Sequence, residues 1–328
     1  MKHTFLAALL ALLAGIGPVA AAMAQVAVPN GRSAGPASGP YAVVLGIAQD
    51  GGVPHAGCRQ DLCVRARRDL SKRRAVACLG LVDPAAGKRF LIDATPNFGE
   101  QIDRLGGRPD AILLTHAHIG HYLGLAQLGR EVMGTHRLPV YATPSMAGFL
   151  KANLPWSRLV KLENIVLEEI ELAPGREITL TPSLKITPIR VPHRDEDSDT
   201  VAYLVRGPRR AVLWLPDIDR WEKWDRRLAD VLADPSLVAF VDGTFHSADE
   251  IPGRSLDDIP HPLVPDTLRL LSGTNSRGRV FFTHLNHTNR LLWDESAAAD
   301  VSRAGAGVAF EGQTIELGAG REPGAGRE

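Results

Sequence analysis

From Tyr41 onward the chain reads as short apolar runs broken by turn-forming residues. "YAVVLGI" (41–47) is apolar throughout and ends at the turn-rich "AQDGGVP". "KRFLIDA" (88–94) and "DAILLTHAH" (110–118) follow. Later come "LPVYATP", "REITLTP", "LKITPIRVPH", "TVAYLVR", "RAVLWLPD", "LVAFVDGTF", "RVFFTHLNH" and "GVAFEGQTIEL", each predicted as a strand. Apolar residues at helical spacing predict helices over "YLGLAQLGREVMG", "SMAGFLKANL", "RWEKWDRRLADVLA" and "PDTLRLLSG". Many strands with helices between them predict an α/β or α+β layered fold. Several strands end on a polar residue able to hold a metal: Asp93, His116, His193, Asp217, Asp242 and His284. Such residues gather at one edge of a sheet core, where binding sites are built.

The two ends depart from this pattern. Lys2 and His3 precede "FLAALLALLAGIGPVAAAMA", and Ala22-Met23-Ala24 offers a small-x-small cleavage site before Gln25. This pattern predicts a secretory signal peptide over 1–24 and a mature protein that is periplasmic or secreted. Residues 25–40 are rich in Gly, Pro, Ser and Ala and are expected to form a disordered leader. The end of the chain, 318–328, repeats GAGRE and is expected to be a flexible tail. Residues 41–317 show no linker and no repeat and are taken as one domain. No other segment is apolar for long enough to span a bilayer, so no stable membrane insertion is expected after cleavage. The chain has 328 residues, with 37 basic and 37 acidic, so its formal charge is zero. That balance gives no reason to expect nucleic acid as a partner and leaves a small-molecule substrate. It does not fix an oligomeric state.

"THAHIGHYLGL" (115–125) carries the strongest chemical signal. Alternate residues of an extended segment point the same way, so His116 and His118 can aim at one point. His121 can swing in from the following turn. Imidazole clusters suit zinc, iron, manganese or nickel.

"LLTHAHIGHYLGL" resembles the metallo-β-lactamase superfamily signature, His-x-His-x-Asp-His after a strand. "FLIDA" at Asp93, "VPH" at His193, "LWLPD" at Asp217 and "FFTHLNH" at His284 resemble that family's later positions, in order. "VLGIAQDGGVPHAGC" and "VAFEGQTIEL" resemble the two ends of one subgroup. It contains the pyrroloquinoline quinone biosynthesis protein B and the cyclic-phosphate phosphodiesterase of the carbon–phosphorus lyase pathway. "LPDID" and "HLNHTN" are closer to the former. The resemblance implies a four-layer αββα sandwich with the site between two sheets. It also implies that His116, His118 and His193 hold one metal. His121 and His284 would help hold a second, with Asp217 bridging and also acting in catalysis.

This chain departs from the family pattern at Gly120, where the resemblance implies an aspartate that completes the second position. An aspartate restored there is expected to tighten the second metal. The resemblance further implies a structural zinc held by Cys58, Cys63 and His287, with Gln60 in place of a middle cysteine. A Cys58–Cys63 disulfide is the competing expectation in an oxidising compartment. Cys78 is expected to be a buried apolar residue. His246 lies one residue beyond a position where the phosphodiesterase carries its leaving-group acid, and is the candidate catalytic acid. His55 is a candidate site-lining residue, and His261 a weaker one.

These readings converge on an exported metal-dependent hydrolase. Zinc, as one or two ions, is the expected cofactor, with iron or manganese as alternatives. A metal-activated water would attack an ester, lactone, amide or phosphodiester. Two other functions compete: a quinone-cofactor biosynthetic or redox metalloprotein, and a metal-binding protein without catalysis.

Overall fold

Among the described residues the apolar runs become fourteen strands. They are β1 (Tyr41–Gly46), β2 (Cys78–Asp83), β3 (Lys88–Ile92), β4 (Ala111–Leu113), β5 (Leu138–Ala142), β6 (Ile165–Glu169) and β7 (Ile178–Thr181). Then come β8 (Leu184–Val191), β9 (Thr200–Arg206), β10 (Ala211–Leu215), β11 (Leu237–Asp242), β12 (Val280–Thr283), β13 (Gly307–Val308) and β14 (Thr314–Glu316). The structure is a computed structural model, and it describes residues 39–173, 175–250, 253 and 259–318. The expected signal peptide, the leader up to residue 38 and the tail from residue 319 lie outside the described residues.

The strands form two seven-stranded sheets, ordered β14-β1-β2-β3-β4-β5-β6 and β13-β12-β11-β10-β9-β8-β7. Each sheet is antiparallel on one side and parallel on the other. β1, β2 and β3 pair antiparallel and β3 to β6 parallel. β7 to β10 pair antiparallel and β10 to β13 parallel. Every residue of β2, β10 and β11 is buried. A strand covered on both faces reads as a continuous apolar run, as these do.

Alternation along the strands divides the core. Phe90 and Ile92 of β3, with Leu113 of β4, pack with Val191, Val201, Tyr203, Leu213 and Leu215 of the other sheet. Their neighbours Leu91 and Ile112 face the other way, against Phe98, Leu105, Met146 and Leu150 of helices Phe98–Leu105 and Pro144–Ala152. Helices Val264–Leu271 and Glu295–Arg303 supply Val264, Leu271, Ala297 and Val301 to the core of the second sheet. The result is the expected four-layer αββα sandwich.

Three elements differ from expectation. "GVAFEGQTIEL" is two strands, β13 and β14, in different sheets, with Gly312 at φ +88° between them. The helix expected over 122–134 is one short turn, Ile119–Tyr122, followed by a 3-10 segment, Leu123–Leu128. Gly124 N–H donates to the distant Ala94 carbonyl at 2.8 Å, which takes the donor an α turn would use. The helix expected over 220–233 is a 3-10 turn, Trp221–Lys223, and a short helix, Leu228–Val231. Trp221 and Trp224 are buried there, and their indole N–H groups donate to Thr267 and to the Arg190 carbonyl. Those tertiary anchors override the helical spacing. Strands β2 and β6 and helices Asp61–Arg68, Phe98–Leu105, Trp156–Lys161 and Glu295–Arg303 add to the expected set.

Candidate metal centre

All six predicted strand-end residues lie at the C-terminal ends of their strands, on the edge where the two sheets meet. Asp93 and His116 follow β3 and β4 of the first sheet; His193, Asp217 and His284 follow β8, β10 and β12 of the second, and Asp242 closes β11. Hydrogen bonds between the sheets fix the histidine loop. The Tyr203 hydroxyl donates to the Leu114 carbonyl at 2.7 Å, Val201 N–H to Thr115 O at 3.1 Å, and Ala117 N–H to Ser198 Oγ at 2.9 Å. The short turn then swings His121 inward, with Ala94 N–H donating to the His121 carbonyl at 2.8 Å.

The first group is His116, His118 and His193, whose ligand atoms lie within 4.8 Å of one another. His118 Nδ1 is 3.3 Å from His193 Nε2. The second group surrounds Asp217. Its Oδ2 lies 3.2 Å from His121 Nε2 and 3.3 Å from His284 Nε2, while its Oδ1 lies 3.7 Å from His193 Nε2. One carboxylate therefore presents an oxygen to each group, which is the expected bridging position. The surprise is Asp50, from the loop after β1. Its Oδ1 is 3.4 Å from His121 Nε2 and 3.8 Å from His284 Nε2.

Five buried atoms here have no hydrogen-bond partner: Asp50 Oδ1, His116 Nε2, His121 Nε2, Asp217 Oδ2 and His284 Nε2. A buried polar atom left unpaired costs about 1–3 kcal/mol. Divided between the two ligand groups, these five atoms fit bound cations, which would satisfy them. Imidazole nitrogen and carboxylate oxygen are suitable zinc ligands, and iron and manganese accept the same set.

The opposite edge of each ring sets its tautomer. His121 Nδ1–H donates to Asp93 Oδ2 at 2.8 Å, and Thr115 N–H and its hydroxyl donate to Asp93 Oδ1 at 2.8 and 2.9 Å. His116 Nδ1 lies 3.0 Å from Thr115 Oγ1. In the second sheet the Thr244 hydroxyl donates to Asp242 Oδ1 at 2.7 Å and sits 2.9 Å from His284 Nδ1. Each arrangement keeps the proton on Nδ1 and turns Nε2 toward the centre. Asp93 and His284 hold φ at 72° and 59°, a left-handed backbone that non-glycine residues seldom adopt. From these two strand ends Asp93 reaches the outer edge of the His121 ring, and His284 turns its Nε2 toward the centre.

Electrostatics follow from burial and from the carboxylates. Burial, with His121 beside it, holds His116 well below the usual imidazole range, and burial brings His193 down to about 3. Burial opposes charge on His121 as well, but Asp93, Asp217 and Asp50 overcome it and raise this ring well above its usual value. Burial pushes Asp217 up, yet His284, His121 and His116 prevail and hold it well below the carboxylate range. The positive charge that His121 takes up is the charge a divalent ion would supply in its place.

His246 is not part of this cluster. Its backbone N–H donates to Glu250 Oε1 at 2.8 Å, and its ring joins none of the ligand groups. His261, the weaker candidate, is the imidazole that does join: its Nδ1 lies 2.7 Å from Asp242 Oδ2 and 4.0 Å from Asp217 Oδ1. Cys58, Cys63 and His287 are neighbours without being gathered. Both cysteines are free thiols, His55 N–H donates to Cys63 Sγ at 3.3 Å, and the His55 ring stacks on His287 at 4.3 Å. Among the described residues no group of three ligand atoms within 4.8 Å includes them. Cys78 is fully buried, as expected. An aspartate at Gly120 would collide with Asp50: a Cβ there would lie 2.1 Å from Asp50 Oδ1 and 2.7 Å from Asp50 Cα. Sequence reasoning missed Asp50. Its signal was an acidic residue in the loop after the first strand of a chain whose metal motif lacks its own carboxylate.

Fold and site define an αββα protein with a metal-binding edge between its two sheets. The chain belongs to the β-lactamase superfamily: residues 88–285 match the family described as "Beta-lactamase superfamily domain". Its relatives fall in the subgroup that the sequence resembles. The coenzyme PQQ synthesis protein B of Methylorubrum extorquens (strain PA1) is 28% identical over 312 residues, covering 84% of this chain and 100% of the relative. Zinc-bound PqqB from Methylobacterium extorquens matches in structure with a TM-score of 0.72 at 22% identity, over 84% of this chain and 100% of that one. A diphosphatase from the PhnP family matches with a TM-score of 0.63 at 25% identity, over 84% and 96% of the two chains.

Proposed function

We propose that this chain is an exported metal-dependent hydrolase that holds two divalent ions and opens an ester, lactone, amide or phosphodiester with water. The observation that carries this reading is the convergence of unpaired buried ligand atoms around Asp217. Zinc is the ion to test first, followed by iron and manganese. When bound, such an ion supplies a Lewis acid and lowers the pKa of a water to about 7. The chain's own residues do the rest. His116, His118 and His193 form one holding group, and His121 and His284 form the core of the other. Asp217 spans both, one oxygen to each, and so fixes their spacing. Asp93, Thr115 and Thr244 keep the ring protons on the outer nitrogens. The leaving-group role expected of His246 has no support from its position, and His261 is the imidazole placed beside Asp217.

The likeness to a diphosphatase puts phosphoryl compounds, diphosphates with phosphodiesters, first in a substrate panel that also contains aryl esters, lactones and β-lactams. Metal-reconstituted protein should turn over at least one of them. The rate should rise with pH through an apparent pKa of about 7, because the deprotonated water is the nucleophile. His116→Ala and His193→Ala should each abolish it. Folded, metal-loaded protein inactive on every class would defeat the hydrolase. Full-length similarity to the PQQ synthesis protein B then favours the second reading, a quinone-cofactor biosynthetic or redox protein. Oxygen uptake with iron and a reductant separates that reading from a metal binder without catalysis.

A further inference from the structure

We infer that Asp50 is a ligand of the second metal position, replacing from a different loop the carboxylate that the motif lacks at Gly120. The inference rests on the two-ion reading and adds a residue to it. Its basis is the space the two positions share. A Cβ on residue 120 would lie 2.1 Å from Asp50 Oδ1, 2.9 Å from Asp50 Cγ and 2.7 Å from Asp50 Cα. The Asp50 carboxylate thus stands where a side chain on residue 120 would begin, and only one of the two positions can carry a carboxylate. Glycine at 120 is the residue that leaves room.

Asp50 is also held in place and aimed. Leu285 N–H donates to Ile47 O at 2.7 Å and Gln49 N–H to Leu285 O at 2.9 Å, so the loop after β1 is paired to the residue that follows His284. Gly52 N–H closes the turn onto Gln49 O at 2.7 Å, with Gly52 at φ +66°. Asp50 Oδ1 is buried and unpaired although its side chain is 26% exposed. Asp50 Oδ1, His121 Nε2 and His284 Nε2 form one ligand group, and each imidazole nitrogen faces a carboxylate on either side: His121 Nε2 lies 3.4 Å from Asp50 Oδ1 and 3.2 Å from Asp217 Oδ2, and His284 Nε2 lies 3.8 and 3.3 Å from the same atoms. Tetrahedral ligation at about 2.0–2.2 Å puts ligand atoms about 3.3–3.6 Å apart. Asp50 also adds a negative charge to a position that otherwise holds two neutral imidazoles and a share of Asp217.

The test is a metal count and a zinc titration of chelator-stripped full-length mature protein, with circular dichroism to check the fold. Wild type should take up two ions. Asp50→Ala and the isosteric Asp50→Asn should weaken the second ion at least tenfold and leave the first unchanged. Gly120→Asp alone should not tighten the second ion, because the two side chains collide. The exchange Asp50→Gly with Gly120→Asp should recover second-ion affinity to within about tenfold of wild type. Unchanged second-ion affinity in Asp50→Ala and Asp50→Asn, or tightening by Gly120→Asp alone, would overturn the inference and leave the two-ion reading standing. A wild type that binds a single ion would overturn both.

Discussion

At the scale of the residue, the centre depends as much on groups that touch no metal as on the ligands. Asp93 is the clearest case. It accepts from His121 Nδ1, Thr115 N–H and the Thr115 hydroxyl, and it does so from a left-handed backbone at φ 72°. Asp93→Asn keeps the shape, and asparagine tolerates that backbone. Its amide, however, leaves His121 Nδ1–H short of the carboxylate acceptor, so the ring is free to place its proton on Nε2. We expect a 10- to 100-fold loss of second-ion affinity with little change in thermal stability. Asp93→Ala should lose the same affinity and also destabilise the fold, by roughly 1–3 kcal/mol, because alanine in a left-handed conformation is strained. Zinc titration and thermal unfolding of the two variants separate the effects; equal stability would show that the backbone there is not held under strain. Most of the clustered side chains were legible in the sequence. His116, His118 and His121 sit in one short stretch, and His193, Asp217 and His284 each close a recognisable apolar run. His246 stands one place away from a family position and lies outside the ligand groups, which periodicity does not register.

At the scale of the element, close packing of the turn after the histidine motif positions His121. Gly124 lies so near the loop after β3 that a Cβ would come within 2.3 Å of Thr95 O and 2.7 Å of Phe98 Cβ. Gly124→Ala should therefore cost about 1–3 kcal/mol as overpacking and push the turn bearing His121 outward. Thermal unfolding should fall by at least a few degrees, with weaker second-ion binding. Gly148→Ala is the matched control. That glycine lies in helix Pro144–Ala152 with nothing within 4 Å of its Cβ position, so alanine should raise stability by about 0.5–1 kcal/mol. Equal effects of the two substitutions would show that the turn has slack and does not position His121. Strands proved more readable than helices. A strand between two covered faces needs only a short apolar run, which the sequence displays. The segments expected as helices over 122–134 and 220–233 have helical spacing, but Gly124 and the buried Trp221 and Trp224 bind them to distant residues and tighten them into turns.

At the scale of the molecule, the two sheets share a pattern, antiparallel strands giving way to parallel ones, and the chain crosses between them to lock the pair. β13 lies in the second sheet and β14 in the first, so the last described strands stitch the sandwich beside β1. Export is the property of the whole chain that we propose from its first residues. The charged start, the apolar run and Ala22-Met23-Ala24 place the mature N-terminus at Gln25. N-terminal sequencing of protein from the periplasm or medium of its native host should read Gln25, and an intact Met1 in the cytoplasm would end the proposal.

The sequence by itself determined the strand runs, the layered class, the family resemblance and the candidate ligands that close local motifs. Each of these is written in neighbouring residues, through a period of two, a run of apolar side chains or a motif of a few positions. Tertiary structure alone decided that Asp50 faces His121 and His284, that Gly120 is the space it fills, and that Asp217 offers one oxygen to each side. It also decided that Cys58, Cys63 and His287 stay ungathered among the described residues. The reason is physical. Asp50 and Gly120 are far apart along the chain and follow β1 and β4 of one sheet, and Asp50 reaches His284 because the loops after β1 and β12 pair across the two sheets. The spacing of residues within a segment records which face each one takes, and carries no record of which other segment that face will meet.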